Sequence, residues 1–296
     1  MIYSRKKYKK RQTRRRHRQR GGSLGSLGNH QDIPKKAWAF WDSDNPPKAI
    51  KDIMKHRPAK LHGWESIYLS DKTIDKYIDK NSYPPGYDVL IPAHKADWIR
   101  LALIEKYGGA WLDAGIIINN VSELNKIHAL MLKEHTEAGL YYLDHHGFIN
   151  NMPLYIDNWF IIAPKHSPII TKWKREFEKA INMGLVEYKT ELMSQDLQIN
   201  IFSKTDMTDT YLTPQACLQK VIQTSSKKPK ILFLDPGTSM FKIHSECAGR
   251  PDRKEEEDAE CVQNKLLNDP ASKELHHIKL RSDDRGPDLD LEKYFS

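Results

Sequence analysis

The run from Ala93 to Asn119, AHKADWIRLALIEKYGGAWLDAGIIIN, restricts what this chain can fold into more than any other stretch. Ala96, Ile99, Leu103 and Tyr107 recur at helical spacing, which predicts an amphipathic helix. Gly108 and Gly109 stop it, because glycine adopts the left-handed cap conformation without a steric penalty. From Ala110 to Ile118 every residue is apolar or glycine except Asp113, so the segment reads as a buried strand carrying one carboxylate. An unpaired carboxylate is costly to bury, which places Asp113 at the strand's end, facing a ligand or cation. Asp97 and Arg100 lie three residues apart on one face of the preceding helix. A rigid helix–turn–strand unit therefore delivers two carboxylates and a guanidinium to one region.

Around this unit, short apolar runs alternate with helical patterns. Strands are expected at Lys36–Trp41, Glu65–Leu69, Gly139–Leu143, Trp159–Ala163, Ile231–Leu234 and Met240–Ile243. Helices are expected at Pro46–His56, Asp71–Lys80, Pro168–Asn182, Glu191–Phe202 and Pro214–Thr224, with a turn at Tyr83–Asp88. Such alternation predicts an α/β fold with a largely parallel central sheet flanked by helices. Residues 245–274 are charged and without period, and read as a loop or disordered excursion. Glu255, Glu256, Glu257 and Asp258 within it read as a solvated face, lacking the alternating spacing of a calcium loop.

The net charge of +8 belongs to one end. Residues 1–20 hold eleven of the 47 Lys/Arg and no acid; without them 36 basic side chains face 39 acidic ones. Residues 1–31 read as a disordered basic tail with a Gly/Ser linker, leaving 32–296 as one domain. No apolar run approaches the ~20 residues that span a bilayer, and none follows the basic start as a secretory leader requires. Cys217, Cys247 and Cys261 have no metal-type spacing. The last two could pair in an oxidising compartment, but free thiols in a reducing, cytoplasmic setting are the favoured reading.

The motif Lys95–Ala–Asp97–Trp–Ile–Arg100, followed by Tyr107–Gly–Gly–Ala–Trp–Leu–Asp113, resembles the signature of sugar-nucleotide glycosyltransferases with a DXD site. It is most similar to capsular polysaccharide synthesis proteins and the related mannosyltransferase-like and toxin enzymes. Ile33–Pro–Lys–Lys–Ala–Trp–Ala–Phe–Trp41 with Pro46, Gly63–Trp–Glu–Ser–Ile–Tyr–Leu69, and Asp157–Asn–Trp–Phe–Ile–Ile–Ala163 resemble further family blocks, and Lys279–Leu280 is a fourth, weaker match. The resemblance implies a GT-A-like fold and hexose transfer from a UDP- or GDP-sugar to a hydroxyl of a glycan or protein, with retention. The chain departs from the common motif at Gly115, where a second aspartate would help hold a cation. Mn²⁺ or Mg²⁺ is still the expected cofactor, with Asp113 its ligand.

The resemblance implies roles for Asp97, Arg100 and Asp113 at the catalytic centre, and for Trp41, Asp157, Asn158, His277 and Lys279 in binding substrate. Trp41 ends the first strand, where α/β ligands bind, and could stack on the nucleotide base or lie in the core. Trp38 and Trp111 read as core. Asp97 and Arg100 could alone be a surface ion pair worth about 0.2–0.5 kcal/mol. The pair His145–His146 reads as surface, and His277 as the better candidate of its own pair with His276.

A different class of reading gives residues 5–20 to non-specific contact with a polyanion such as nucleic acid, in a packaging protein. The Arg/Lys-plus-Gly-Gly tail is similar to those on proteins of large DNA viruses of protists, which extends the expected setting to host cytoplasm or virion. A third reading makes Gly115 the mark of an inactive glycan-binding homologue. Neither dinucleotide-type Gly-x-Gly-x-x-Gly after a strand nor a phosphate loop ending in Gly-Lys-Ser/Thr is present.

Overall fold

A computed structural model describes residues 32–143, 147–149, 151–199, 201–202, 205–237, 239–248, 255–287 and 289–296. The tail and linker of 1–31, with its polyanion-binding stretch, and the pair His145–His146 lie outside the described residues. Residues from Gln31 to Ser296 form one compact unit.

In chain order the elements are β1 (Lys36–Phe40), α1 (Lys48–Lys60), β2 (Glu65–Leu69), α2 (Pro92–Tyr107), β3 (Gly109–Leu112) and β4 (Ile116–Ile118). Next come α3 (Ser122–Glu134), β5 (Ala138–Tyr142), β6 (Phe148–Ile149), β7 (Met152–Pro153), β8 (Ile156–Ala163), α4 (Pro168–Met183) and α5 (Leu185–Met193). The last group is α6 (Thr213–Thr224), β9 (Ile231–Leu234), α7 (Lys242–Ala248), α8 (Glu255–Asn268), α9 (Ala271–Glu274), β10 (His277–Lys279) and α10 (Glu292–Phe295).

The central sheet runs β2–β1–β3–β8–β5–β9. All its strands are parallel except β8, which is antiparallel to both neighbours. This is the α/β class with a largely parallel sheet that the alternation predicted. Successive residues feed opposite faces, as strand geometry requires. Trp111, Ile161 and Ala163 enter the core beneath α2, α4 and α6. Ala110, Leu112, Phe160 and Ile162 enter a second core with Leu124 and Met131 of α3. A separate two-stranded ribbon of β4 and β10 covers a third core with α1, α7, α8 and α10.

Helix α2 starts with proline in its first turn and stops at Gly108, whose φ is +68°. An added Cβ at Gly108 would lie 2.6 Å from the Lys165 backbone nitrogen, so glycine is required there twice over. The helix is not the one-sided amphipath its spacing suggested. Trp98, Ile99, Leu101, Leu103 and Ile104 are all fully buried, because α2 lies between the sheet and α4.

Several boundaries move. β1 ends at Phe40, leaving Trp41 just beyond it. The helix expected at Glu191–Phe202 is instead α5, ending at Met193. The segment 71–80 contains only a 3₁₀ turn at Ile74–Lys76 and the start of another at Lys80, and the strand expected at Met240–Ile243 is a turn entering α7. The largest change is within 245–274, whose described residues form α7, α8 and α9 in place of the expected loop or disordered excursion. Val262 and Leu266, one turn apart on α8, are buried against Ile243 and Cys247, while the charged residues around them hid that stripe.

Cys247 and Cys261 are joined as a disulfide with Cα atoms 6.0 Å apart, and only Cys217 is a free thiol among the described residues. The free-thiol reading is therefore corrected for this pair, and with it the thiol argument for a reducing compartment falls. Closing a loop of this length stabilises by about 3 kcal/mol in the chain-entropy account. Cys261→Ser should lower the thermal midpoint by several degrees, and reductant should do the same to the wild type but not to the variant. No described helix is long and apolar enough to cross a membrane.

Candidate functional site

The carboxyl ends of β1, β3, β5 and β9, together with the amino end of β8, open into a cleft of about 1090 Å³. Ligands bind in open α/β sheets at this edge. Pro92, Ala93, Ala96, Asp97 and Arg100 of α2 form one wall, and the segment from Lys279 to Arg285 forms another with α7 and α8. Trp41, Asp97, Arg100, Asp113, Asp157, Asn158 and Lys279 all line it. Seven of the eight residues singled out from sequence thus meet in one place.

Asp113 follows the last residue of β3, as its isolation in an apolar run suggested. Its backbone nitrogen donates to the Trp159 carbonyl at 3.0 Å. Oδ1 accepts from Trp111 Nε1 at 2.8 Å and Arg100 Nη2 at 3.2 Å, and Oδ2 accepts from Lys279 Nζ at 3.0 Å. Burial alone would raise the acid's pKa, but Lys279 and Arg100 overcome it and hold Asp113 below the usual carboxylate range. Its side chain stays 23% exposed, open to the cleft.

Arg100 ties the network to α2 and β8. Its Nη1 donates to the Asn158 carbonyl at 2.9 Å and lies 3.0 Å from Asp97 Oδ1. Asn158 Nδ2 donates to that same Asp97 oxygen at 2.8 Å. The pair is buried rather than an ordinary surface bridge, and burial pushes the Asp97 carboxyl up against the pull of Arg100. Asp157 is also buried, accepts from the Asn158 backbone nitrogen at 3.1 Å, and is pushed up by burial. Trp111 is core, as expected, yet its indole nitrogen also holds Asp113. Trp38 is wholly core, donating to the Gly108 carbonyl at 2.9 Å. Trp41 is half-buried at the cleft, so the core alternative for it falls away.

His277 does not join the site. In β10 it pairs with Ile118, is fully buried away from the cleft lining, and its ring pKa falls to about 3 through burial. Residues two apart in a strand share a face, but only Lys279 lies far enough along the ribbon to reach Asp113.

Sequence reasoning missed four residues. Arg57 of α1 is 2% exposed and donates to the carbonyls of Leu112, Asp113, Ala114 and Ile116 at 2.7–3.3 Å. It fixes the turn that presents Asp113, and burial lowers its pKa to about 10. No local pattern marks it, since its partners lie at least 55 residues away. His244 Nε2 and Asp284 Oδ2 are 2.7 Å apart in the cleft wall, and Asp284 also accepts from the Arg281 backbone nitrogen at 2.6 Å. This anchors the turn carrying Arg285, whose guanidinium lies 5.4 Å from the Trp41 ring centroid.

The residues present do not fit the expected Mn²⁺ or Mg²⁺. The oxygens of Asp113, the intended ligand, lie 3.2 Å from the Arg100 guanidinium and 3.0 Å from the Lys279 ammonium, two fixed cations that would repel a metal ion placed there. No three His, Cys, Asp or Glu side chains among the described residues group to hold a metal ion. A carboxylate at Gly115 would crowd its neighbours, because a Cβ there would lie 3.0 Å from the Leu280 carbonyl oxygen and 3.5 Å from Arg285 Nη1, so the Leu280 backbone would have to give. Its φ is not positive, so close packing and not backbone strain selects glycine. Gly115→Asp should cut turnover by roughly tenfold or more through misplacement of the turn, with no gain in Mn²⁺ response. A Mn²⁺ titration of turnover in both proteins checks this.

A sequence model of the family described as capsular polysaccharide synthesis protein matches residues 8–184, more than half of the chain. Among curated relatives, O-glycosyltransferase PaGT of Phomopsis amygdali is 22% identical over 85% of this chain and 62% of its own length. O-glycosyltransferase braB of Annulohypoxylon truncatum is 26% identical over 49% of this chain and 37% of its own length. The chain thus spans less than two thirds of the length of either relative. Two solved structures are similar at TM-scores of 0.40 and 0.39. One is a glycosyltransferase involved in glycosylation of the major capsid of PBCV-1, at 11% identity over 84% of this chain and 96% of the other. The second is PaToxG glycosyltransferase, at 13% identity over 79% of this chain and 85% of the other. At such TM-scores neither carries the assignment. The sequence match, running through the helix–turn–strand unit that presents Asp113, does: this chain belongs to the capsular polysaccharide synthesis protein family.

Proposed function

We propose that the chain is a glycosyltransferase, moving a hexose from a UDP- or GDP-sugar to a hydroxyl of a glycan or protein. The observation that carries this reading is the Asp113 carboxylate, open to the cleft and held by Arg100, Lys279 and Trp111. Asp113 accepts hydrogen bonds from ribose and sugar hydroxyls of the donor. Asp97 and Asn158 orient Arg100, and Trp41 offers the base an aromatic face. In transfer, the bond from the anomeric carbon to the β-phosphate oxygen breaks and its electron pair goes to that oxygen. The acceptor oxygen bonds to the anomeric carbon, and its proton passes to the departing diphosphate. Retention of configuration is read from the family resemblance. Negative charge grows on the diphosphate, and fixed cations nearby stabilise it.

The test is a donor panel that follows release of UDP or GDP from several sugar nucleotides, with proton NMR of the first-formed product. Turnover of one donor with retention supports the reading. No turnover of any donor, with a range of glycan and peptide hydroxyl acceptors, sinks it.

A further inference from the structure

Among the described residues, Arg285 is the cleft cation whose side chain bridges the two features expected to grip opposite ends of a nucleotide sugar. Its guanidinium faces Trp41 at 5.4 Å. Its Nη1 lies 3.5 Å from where a Cβ on Gly115 would be, two residues past Asp113. Nε is spent on the Arg281 carbonyl at 3.0 Å, which fixes the side chain's direction. No hydrogen bond or ion pair from Nη1 or Nη2 to the described residues occupies the other end. Asp284, next to Arg285, is locked by His244 and by the Arg281 backbone nitrogen, and Gln263 Nε2 donates to its carbonyl at 3.1 Å. The turn is therefore built to hold a guanidinium at this place with its fork unspent. Lys279 Nζ, on Asp113 Oδ2 at 3.0 Å, stands on the same wall.

We infer that Arg285, with Lys279, binds and neutralises the diphosphate of a nucleoside-diphosphate ligand in place of a divalent cation. This rests on the transferase reading only for the identity of the ligand's sugar. The physical case is one of exchange. Where the common motif has a second carboxylate to hold a metal, this chain has Gly115, and the vacated side-chain position is faced by a guanidinium. A carboxylate at 115 and a free fork at 285 exclude one another, since they would pair. A planar guanidinium suits two adjacent phosphate oxygens through parallel N–H donors, and Lys279 adds a point charge. A metal at Asp113 would sit against Lys279 and Arg100, whereas an anion is drawn to all three cations.

The test is calorimetric binding of UDP, GDP and the bare nucleosides to the full chain in EDTA and in Mn²⁺, for the wild type, Arg285→Gln and Arg285→Lys. The expected result is diphosphate binding in EDTA within a few-fold of that in Mn²⁺. Arg285→Gln should weaken it about tenfold or more, Arg285→Lys should restore part of the loss, and nucleoside binding should stay unchanged. A merely structural role for Arg285 would weaken nucleoside and diphosphate alike, and that outcome overturns the proposal. So does diphosphate binding that needs Mn²⁺, that is indifferent to Arg285→Gln, or that is absent under every condition. Diphosphate binding as expected without turnover of any sugar nucleotide would sink the transferase reading and leave this one standing.

Discussion

Asp113→Asn is expected to reduce transfer by on the order of 10²–10³-fold, the loss seen when a fixed polar group at the reacting centre is removed. The substitution keeps shape and keeps an acceptor for Trp111, but removes the charge that Arg100 and Lys279 enclose. Two half-neutralised cations then face the cleft, so the cost is not confined to activity. With the side chain 23% exposed, solvent screens part of it, and roughly 1–3 kcal/mol of stability is lost. The folded state holds Asp113 below the usual carboxylate range. Its contribution is therefore complete above the unfolded value of about 3.9 and lost as pH falls through the lower folded one. The variant should lack that part of the acid limb. Donor turnover and thermal unfolding at neutral and acidic pH, measured together, check both halves; wild-type turnover would remove Asp113 from the site.

Arg57→Ala should damage stability strongly, by about 3–5 kcal/mol, since several buried acceptors lose a charged donor at once. It leaves the carbonyls of Leu112, Asp113, Ala114 and Ile116 without their shared donor in a region closed to water. Arg57→Lys should recover only part of this, because an ammonium cannot present a planar fork to four acceptors. Since those carbonyls belong to the turn behind Asp113, activity should fall further than the folded fraction does. Urea unfolding midpoints for both variants, set beside turnover per folded molecule, separate the two effects. If Arg57→Ala unfolds like the wild type, the turn is held by other contacts.

Much of the site was legible because its members are local. Asp97, Arg100 and Asp113 come from one helix–turn–strand unit whose spacing alone places them within reach. The Gly108–Gly109 stop was legible for the same reason, since the left-handed cap conformation is a local demand. Lys279 and Asn158 needed a family resemblance to enter at all, because nothing in their neighbourhoods distinguishes them from surface residues.

What stayed hidden depended on long-range packing. His277 was misjudged because it shares a strand face with Lys279, and how far along the ribbon that face meets the cleft follows from the pairing of β10 with β4. The helix α8 was missed because its buried stripe is short and crowded by charge, and its burial exists only once α1, α7, α10 and the β4–β10 ribbon pack around it. Thus the sequence by itself determined the α/β alternation, the glycine stop and the carboxylate at the end of an apolar strand, since each follows from local conformation or from the cost of burying charge. Only the tertiary structure decided that Arg57 braces the turn, that Asp113 is already enclosed by Arg100 and Lys279, and that Arg285 faces Gly115. Contacts between residues 50 to 170 positions apart are set by how the sheet, the ribbon and the last turn pack, not by any periodicity along the chain.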